Sequence, residues 1–412
     1  MRAVAQVNCL VCDGPTEPLL DLDVQPLANV LLRDEAEGFD TFPLGLATCA
    51  VCTHAQLTHF LPPGALFTDY LYASGTSNTL RQYFGWFASG LAGCLRPGAR
   101  VLEIASNDGS LLTQMASQGL DVTGVDPAAN LNAVAAAAGH RVITGFFPDA
   151  TPGGTFDAVV AMNVAAHTPQ PLAFLRGVAG VLAPGGVAII QTSQALMLAN
   201  GEFDTIYHEH YSFFTVASMR RLAERAGLRL EQVRLVSVHG TSFLFFLRRA
   251  ADTVPLMAFP ADPPFGVAWP DPEAPYLAMH PRREEARAAY AAFAAKARAT
   301  MQGVASRLTW HKAQGRQIAL AGVAAKALTF VRAAGIAPDL YLDEAPLKIG
   351  RLVPGAQAPI APLTTISRLG QDTVFLIGAW NFADELIRKI CAIEHGFKAT
   401  FLIHYPHIRE VA

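Results

Sequence analysis

Four of the six cysteines stand in two C-x-x-C pairs, Cys9/Cys12 and Cys49/Cys52, and nothing else restricts the first sixty-odd residues as strongly. Each C-x-x-C turn lets two thiolates reach one ion, and two such turns complete the tetrahedral four-sulfur shell of a structural Zn²⁺ site. In a reducing compartment paired C-x-x-C motifs are more often metal ligands than disulfides. The segment between the pairs is longer than in the commonest zinc ribbons, so reduced core cysteines or a redox pair stand as the alternatives. A closed four-sulfur shell leaves no open position, so the expected ion stabilises the fold and does not catalyse. His54 is then a bystander. Residues 1–65 are read as this zinc-binding module.

A different pattern begins at Arg100. Val101-Leu102-Glu103-Ile104 reads as a short buried strand, Ala105-Ser106-Asn107-Asp108-Gly109-Ser110 as a tight turn, and Leu111 to Gly119 as a helix. A small-residue turn between a parallel strand and a helix brings backbone N–H groups against a ligand at the carboxyl edge of the sheet. A second strand, Asp121 to Val125, ends in Asp126, placed to accept hydrogen bonds from ribose hydroxyls. The turn is not G-x-G-x-x-G, which disfavours a dinucleotide. The rhythm continues through a strand at Phe156 to Met162, a strand end at Asn163 to His167, a helix at Pro169 to Leu182, a turn at Pro184-Gly185-Gly186 and a strand at Val187 to Gln191. Such alternation predicts an α/β fold with a parallel sheet, its ligand sites beyond the carboxyl ends of the strands. The α/β unit so expected spans residues 66–251.

Downstream lies Phe203-Asp204-Thr205-Ile206-Tyr207-His208-Glu209-His210-Tyr211-Ser212-Phe213-Phe214. Two histidines, a glutamate and two tyrosines within five positions suit the movement of a proton, since imidazole titrates near neutrality and a carboxylate can orient it. The alternative is a surface turn with solvated histidines. Spacing leaves either His208 or His210 as a base. His167 also follows a strand end and could converge with them. Earlier, residues 67–77 alternate hydroxyls and aromatics, including Tyr72, and read as a hinge or a lid.

Residues 252–283 are rich in proline and read as a linker. Residues 284–412 predict a smaller α/β unit: a helix from Glu284, strands at Gln317–Ala321, Leu340–Asp343 and Thr373–Gly378, and a turn, Gly322 to Lys326, that either binds phosphate through backbone N–H groups and Lys326 or simply packs helix on strand. With 412 residues the chain has room for roughly two to three domains. A net charge of −3, from 31 basic and 34 acidic residues, argues against a nucleic-acid or anionic-membrane partner. No apolar run reaches the roughly 18 residues that span a bilayer. Met1 to Leu10 lacks a signal-peptide pattern, so a cytoplasmic location is expected. The oligomeric state stays open, a monomer being compatible.

Taken together, C-x-x-C…C-x-x-C, E-I-A-S-N-D-G, N-V-A-A-H, F-D-T-I-Y-H-E-H-Y-S-F-F and the late W-N-F-A-D-E resemble the deoxysugar C-methyltransferases of antibiotic biosynthesis, which belong to the class I S-adenosylmethionine-dependent enzymes. Gln25-Pro26-Leu27-Ala28-Asn29 matches that family's N-terminal module. The resemblance covers nearly the whole chain. It implies a Rossmann-like methyltransferase sheet, a zinc module and a C-terminal Rossmann-like domain that helps bind a nucleotide sugar. It implies His210 as general base, Glu209 and Tyr207 as its supporting groups, and Tyr72 as a substrate-contacting tyrosine. Glu103, Ala105, Asn107, Asp108, Gly109, Asp126 and Asn163 would surround S-adenosylmethionine; His167, His208 and Lys326 would face the substrate; Cys9, Cys12, Cys49 and Cys52 would hold zinc.

The substrate so implied is a nucleotide-linked 4-keto-hexose, dTDP-linked, methylated at C3. The carbon beside a ketone is acidic enough for an imidazole to deprotonate when the enolate is stabilised. Two departures stand out. The family's G-Y-G-A-P-A-K-G is here Ala321-Gly322-Val323-Ala324-Ala325-Lys326-Ala327, and its G-G-S is Val238-His239-Gly240-Thr241-Ser242. The runner-up readings are a methyltransferase acting on a non-sugar ketone and an NAD(P)-dependent oxidoreductase, the latter lacking G-x-G-x-x-G in either unit. A zinc-containing RNA- or protein-binding methyltransferase and a degenerate scaffold complete the alternatives.

Overall fold

A computed structural model describes residues 3–67, 73–260, 264–267, 283–368, 372–393 and 399–411. Tyr72 and much of the expected 252–283 linker lie outside the described residues.

The strand Arg100–Ile104 forms because Val101, Leu102 and Ile104 have apolar partners on both faces of a sheet. It pairs in parallel with Asp121–Asp126 on one side and with Phe156–Met162 on the other. The full seven-stranded order is Leu228–Val236, Ser242–Arg249, Leu182–Thr192, Phe156–Met162, Arg100–Ile104, Asp121–Asp126, Val142–Thr144. Its five central and distal strands are parallel, and Ser242–Arg249 runs antiparallel against Leu182–Thr192. One apolar face packs on the helices Pro171–Val181 and Val216–Arg225, the other on Asn78–Cys94 and Ser110–Ser117. The direction of chain progression reverses between Phe156–Met162 and Arg100–Ile104, which opens a crevice beyond their carboxyl ends.

The expected turn at Pro184-Gly185-Gly186 is instead part of a longer strand, Leu182–Thr192, carrying a register shift between Leu182 and Val187. Gly186 permits it: a Cβ there would lie 2.9–3.1 Å from the carbonyl oxygens of Ala183, Phe156 and Asp157. A bulge absorbs the extra residues while the strand stays paired.

The cysteine-bearing segment forms a four-stranded antiparallel sheet in the order Ser212–Phe213, Ala55–Leu57, Thr41–Cys49, Thr16–Pro26. Its edge strand comes from the segment just after Tyr207–His210. The C-terminal sheet runs Ala361–Pro362, Leu340–Asp343, Gln317–Ala321, Thr373–Ile377, Thr400–Ile403, Arg409–Val411, parallel except at the last pair. The long helix Arg283–Ala313 lies between these two sheets. Phe293, Ala297, Val304 and Leu308 share one apolar core with Leu20, Leu46 and Leu57 of the first sheet and Ile318, Leu320 and Phe375 of the second. Burial of this continuous core, at about 25 cal/mol per Å² of apolar surface, ties the cysteine-bearing and C-terminal sheets together. No described helix is long and apolar enough to cross a membrane.

Candidate active site

A cavity of about 1120 Å³ opens where the three sheets meet. It exceeds the ~300–1,000 Å³ usual for one small ligand, so two molecules can share it. Ala105, Asn107, Asp126, Asn163 and His167 line it from the seven-stranded sheet, Tyr207 and His210 from the acid/base segment, and Gly322 to Lys326 from the C-terminal sheet.

At the first turn, Asp126 accepts hydrogen bonds from the backbone N–H of Asn107 (2.9 Å) and of Ala128 (2.7 Å). Ala105 and Asn107 adopt φ of 60° and 52°, a left-handed backbone that non-glycine residues hold where the surroundings over-determine it, often at ligand sites. The Asn107 and Asp108 side chains accept from the N–H groups of Ser74 and Gly75, clamping that segment against the turn. Glu103, Asp108 and Gly109 do not line the cavity. Glu103 is buried within the sheet, Asp108 is engaged by Gly75, and Gly109 packs on Ala135.

Burial, with the Asp126 charge second, holds the Glu103 carboxyl well above the ordinary carboxylate range, and among the described residues neither its Oε2 nor the buried Asn163 Oδ1 has a hydrogen-bond partner. A left-handed turn with the Asp126 carboxyl at the next strand end fits a ligand with a ribose diol, as S-adenosylmethionine has.

Within Tyr207–His210 a backbone bond from His210 N–H to Tyr207 C=O closes a turn. Residues 207 and 210 therefore face one way, into the cavity, and 208 and 209 the other, toward the cysteine-bearing sheet. His210 Nδ1 lies 2.7 Å from the carbonyl oxygen of Thr205, which can only accept, so Nδ1 carries the proton. Nε2 then offers its lone pair to the Tyr207 hydroxyl at 2.9 Å. His167 packs edge-on against the His210 ring, with centroids 4.7 Å apart. Burial, then the neighbouring His167, keeps the His210 imidazole well below its usual range; burial brings His167 down to about 4.

His208 differs from expectation: its Nε2 faces the Phe42 carbonyl at 3.3 Å, and it does not line the cavity. Glu209 accepts from the Asn29 side-chain amide at 2.6 Å and also lies off the cavity wall, whereas Asn29 lines it.

On the opposite wall Lys326 Nζ sits 5.1 Å from the centroid of the Trp380 ring. The Trp380 indole N–H donates to the buried Asp204 carboxylate at 2.7 Å. Asp204 and Trp380, 176 residues apart, carry no local signal of their pairing, and neither they nor Asn29 stood out in the sequence as site residues.

The Sγ atoms of Cys9, Cys12, Cys49 and Cys52 all lie within 4.8 Å of one another, with Cys9–Cys52 and Cys12–Cys49 at 3.5 Å. Tetrahedral Zn–S bonds of about 2.3 Å put sulfurs about 3.8 Å apart, so the four-sulfur set fits zinc. Backbone N–H groups of Val11 and Val51 point at the Cys9 and Cys49 sulfurs, the arrangement that supports thiolate ligands. His54 stands outside the set, its Nε2 3.2 Å from the Ser212 hydroxyl.

Residues 9–67 match a family model described as a zinc binding domain, residues 79–233 one described as a methyltransferase domain, and residues 280–406 one described as a C-methyltransferase C-terminal domain. The C-methyltransferase NovU of Streptomyces niveus is 31% identical over 408 residues, a match covering 94% of this chain and 92% of NovU. The chain belongs to this C-methyltransferase family. The C-methyltransferase is S-adenosylmethionine-dependent and carries a structural zinc site. Part of it also matches a ubiquinone biosynthesis O-methyltransferase of Xanthomonas axonopodis pv. citri, 32% identical over 157 residues, 33% of the C-methyltransferase and 65% of that relative. Among solved structures, the magnesium protoporphyrin IX methyltransferase of Synechocystis PCC 6803, with bound S-adenosylmethionine, is 18% identical, with a TM-score of 0.33 over 41% of this chain and 79% of that one.

Proposed function

We propose that the enzyme deprotonates the carbon beside the ketone of a dTDP-linked 4-keto-deoxysugar and methylates it at C3, a step of antibiotic deoxysugar biosynthesis. The observation that carries this reading is the position of the His210–Tyr207 pair. Its unprotonated Nε2 faces a cavity that has an adenosyl-type turn on one wall and a lysine-bearing turn on another.

In this reading Ala105, Asn107, Asp126 and Asn163 hold S-adenosylmethionine, with Glu103 supporting the strand end from behind and Asp108 and Gly109 shaping the turn. When bound, the sulfonium supplies an electrophilic methyl group. His210 is the base. Because Nε2 already accepts from Tyr207, the carbon-bound proton either displaces that hydroxyl or passes through it. Glu209, tied to Asn29, fixes the segment from beneath. His167 and Lys326 face the sugar nucleotide, with the 322–326 turn toward its phosphates, and Tyr72 contacts the sugar. Residues 1–65, 66–251 and 284–412 act as zinc module, methyltransferase domain and substrate domain. The protein mainly supplies alignment of the reacting carbon, worth up to about 7–11 kcal/mol in well-oriented systems.

The test is to incubate the enzyme with S-adenosylmethionine carrying a ¹³C-methyl and dTDP-4-keto-6-deoxyglucose, and to locate the label by NMR. A new carbon–carbon bond at C3 is the expected product. Label on oxygen, or no transfer to this ketone while a non-sugar ketone accepts it, would overturn the substrate reading.

A further inference from the structure

The hairpin between Leu228–Val236 and Ser242–Arg249 carries three consecutive residues with positive φ: His239 at 54°, Gly240 at 89° and Thr241 at 111°. A β-branched residue at such a φ is an outlier that persists only where its surroundings hold it. What holds it is visible. Thr241 N–H donates to the Val238 carbonyl at 3.1 Å, and the Ser242 hydroxyl donates to the same carbonyl at 2.9 Å. The Gly240 Cα abuts Trp380, where a Cβ would come within 2.7 Å of the indole Cη2. That indole is the one beneath Lys326 and bonded to Asp204. The strained tip is therefore wedged between the methyltransferase sheet and the C-terminal sheet.

His239, on this tip, lines the same cavity as His210. Among the described residues His239 has no hydrogen-bond partner, unlike His210, His54 and His208, each of which faces one. Burial, and after it the nearby Lys326 ammonium, brings its imidazole down to about 4, so at neutral pH it has one N–H donor and no charge. Lys326 and His239 both stand close enough to His210 for a charge on either to act on it.

We propose that His239 is a second catalytic residue, donating its N–H to the ketone oxygen next to the carbon that His210 deprotonates. This rests on the keto-substrate reading above. In the step, the C–H bond breaks and its proton goes to His210 Nε2, directly or through the Tyr207 hydroxyl. The C–H electron pair forms the C=C bond, and the C=O π pair moves onto oxygen. No electrons are gained or lost overall. His239 faces the atom on which charge develops, where a preorganised donor does most. A neutral imidazole suits this better than an imidazolium, because it polarises the oxygen without surrendering a proton to the enolate.

The test uses the full-length, zinc-loaded enzyme in D₂O with dTDP-4-keto-6-deoxyglucose and no cofactor, following exchange of the C3 proton. His239→Ala is expected to lower kcat for exchange by about 10²-fold, the range for loss of one oxyanion donor, with KM moving by no more than about threefold. His239→Gln, which keeps an N–H donor, should recover part of the rate. S-adenosylmethionine affinity should match wild type in both. Exchange by His239→Ala within about threefold of wild type would overturn the assignment and leave the substrate reading standing. So would equal losses in Ala and Gln variants that also lose cofactor affinity, since that marks a structural role. A wild-type enzyme inert to the ketone would sink the substrate reading and this assignment together.

Discussion

His210 illustrates how one side chain's surroundings decide its chemistry. Its Nδ1–H is committed to the Thr205 carbonyl, so the only lone pair it can offer is at Nε2. Burial and the adjoining His167 hold it well below the usual imidazole range. A base must be unprotonated to act, and a depressed pKa moves protonation to lower pH. The rate of substrate proton exchange should therefore stay level as pH falls through about 6.5, the free imidazole value, and decline only at more acidic pH. Exchange rates measured between pH 5 and 8 check this; a limb centred near 6.5 would contradict it. At this scale the sequence was only half informative. The strand–turn geometry at 100–126 was legible because a short apolar strand, a small-residue turn and Asp126 at the next strand end leave few other arrangements. The choice between His208 and His210 was not legible. It depends on the 207–210 backbone turn, which sends the two rings to opposite sides, and no periodicity announces an irregular turn.

Among the elements, the strand Ser212–Phe213 joins the zinc sheet to the acid/base segment. It pairs with Ala55–Leu57, Leu57 N–H bonds the Tyr211 carbonyl at 3.1 Å, and the Tyr211 hydroxyl donates to the Leu61 carbonyl at 2.6 Å. The bonds shown for the adenosyl-type turn run elsewhere, to Ser74, Gly75, Val125 and Asp126. Removing zinc should thus abolish substrate proton exchange while S-adenosylmethionine binding survives within about tenfold, because structural zinc sites contribute directly to local folding. Stoichiometric chelation followed by cofactor titration and exchange assay distinguishes the two. Loss of both functions together, or of neither, would contradict this coupling. The C-x-x-C pairs announced the metal; nothing in them announced that its sheet takes a strand from residue 212. A two-residue strand is too short for alternation to show, and its partner lies more than 150 residues away.

For the whole molecule, the large features followed from pattern and the junctions did not. Alternating strands and helices pointed to two α/β units, and both are present. The shared core beneath the Arg283–Ala313 helix and the Asp204–Trp380 bond arise from tertiary packing that one sequence does not record. The price of those junctions is a set of buried or half-buried neutral histidines. His54 is brought down to about 3, His167, His208 and His239 to about 4, and His210 well below its range, all chiefly by burial. In the unfolded chain each titrates near 6.5. Below that pH the unfolded state binds more protons than the folded one, so stability falls as pH falls. Glu103, Asp126 and Glu202 act in the opposite sense, since burial raises them and the folded state keeps their protons. The five histidines outnumber them, so the melting temperature should drop between pH 7 and pH 5 at constant zinc occupancy. A melting temperature that is flat or rises over this range would contradict the balance.

The central claim is that His210 removes a proton from carbon before any methyl is transferred. It is tested most directly in D₂O with dTDP-4-keto-6-deoxyglucose, first without cofactor and then with S-adenosylmethionine, comparing wild type with His210→Asn. Wild type is expected to exchange the C3 proton without cofactor and to methylate once it is added, while the variant loses both by about 10²–10⁴-fold yet still binds S-adenosylmethionine. A His210→Asn enzyme that exchanges and methylates at the wild-type rate would contradict it.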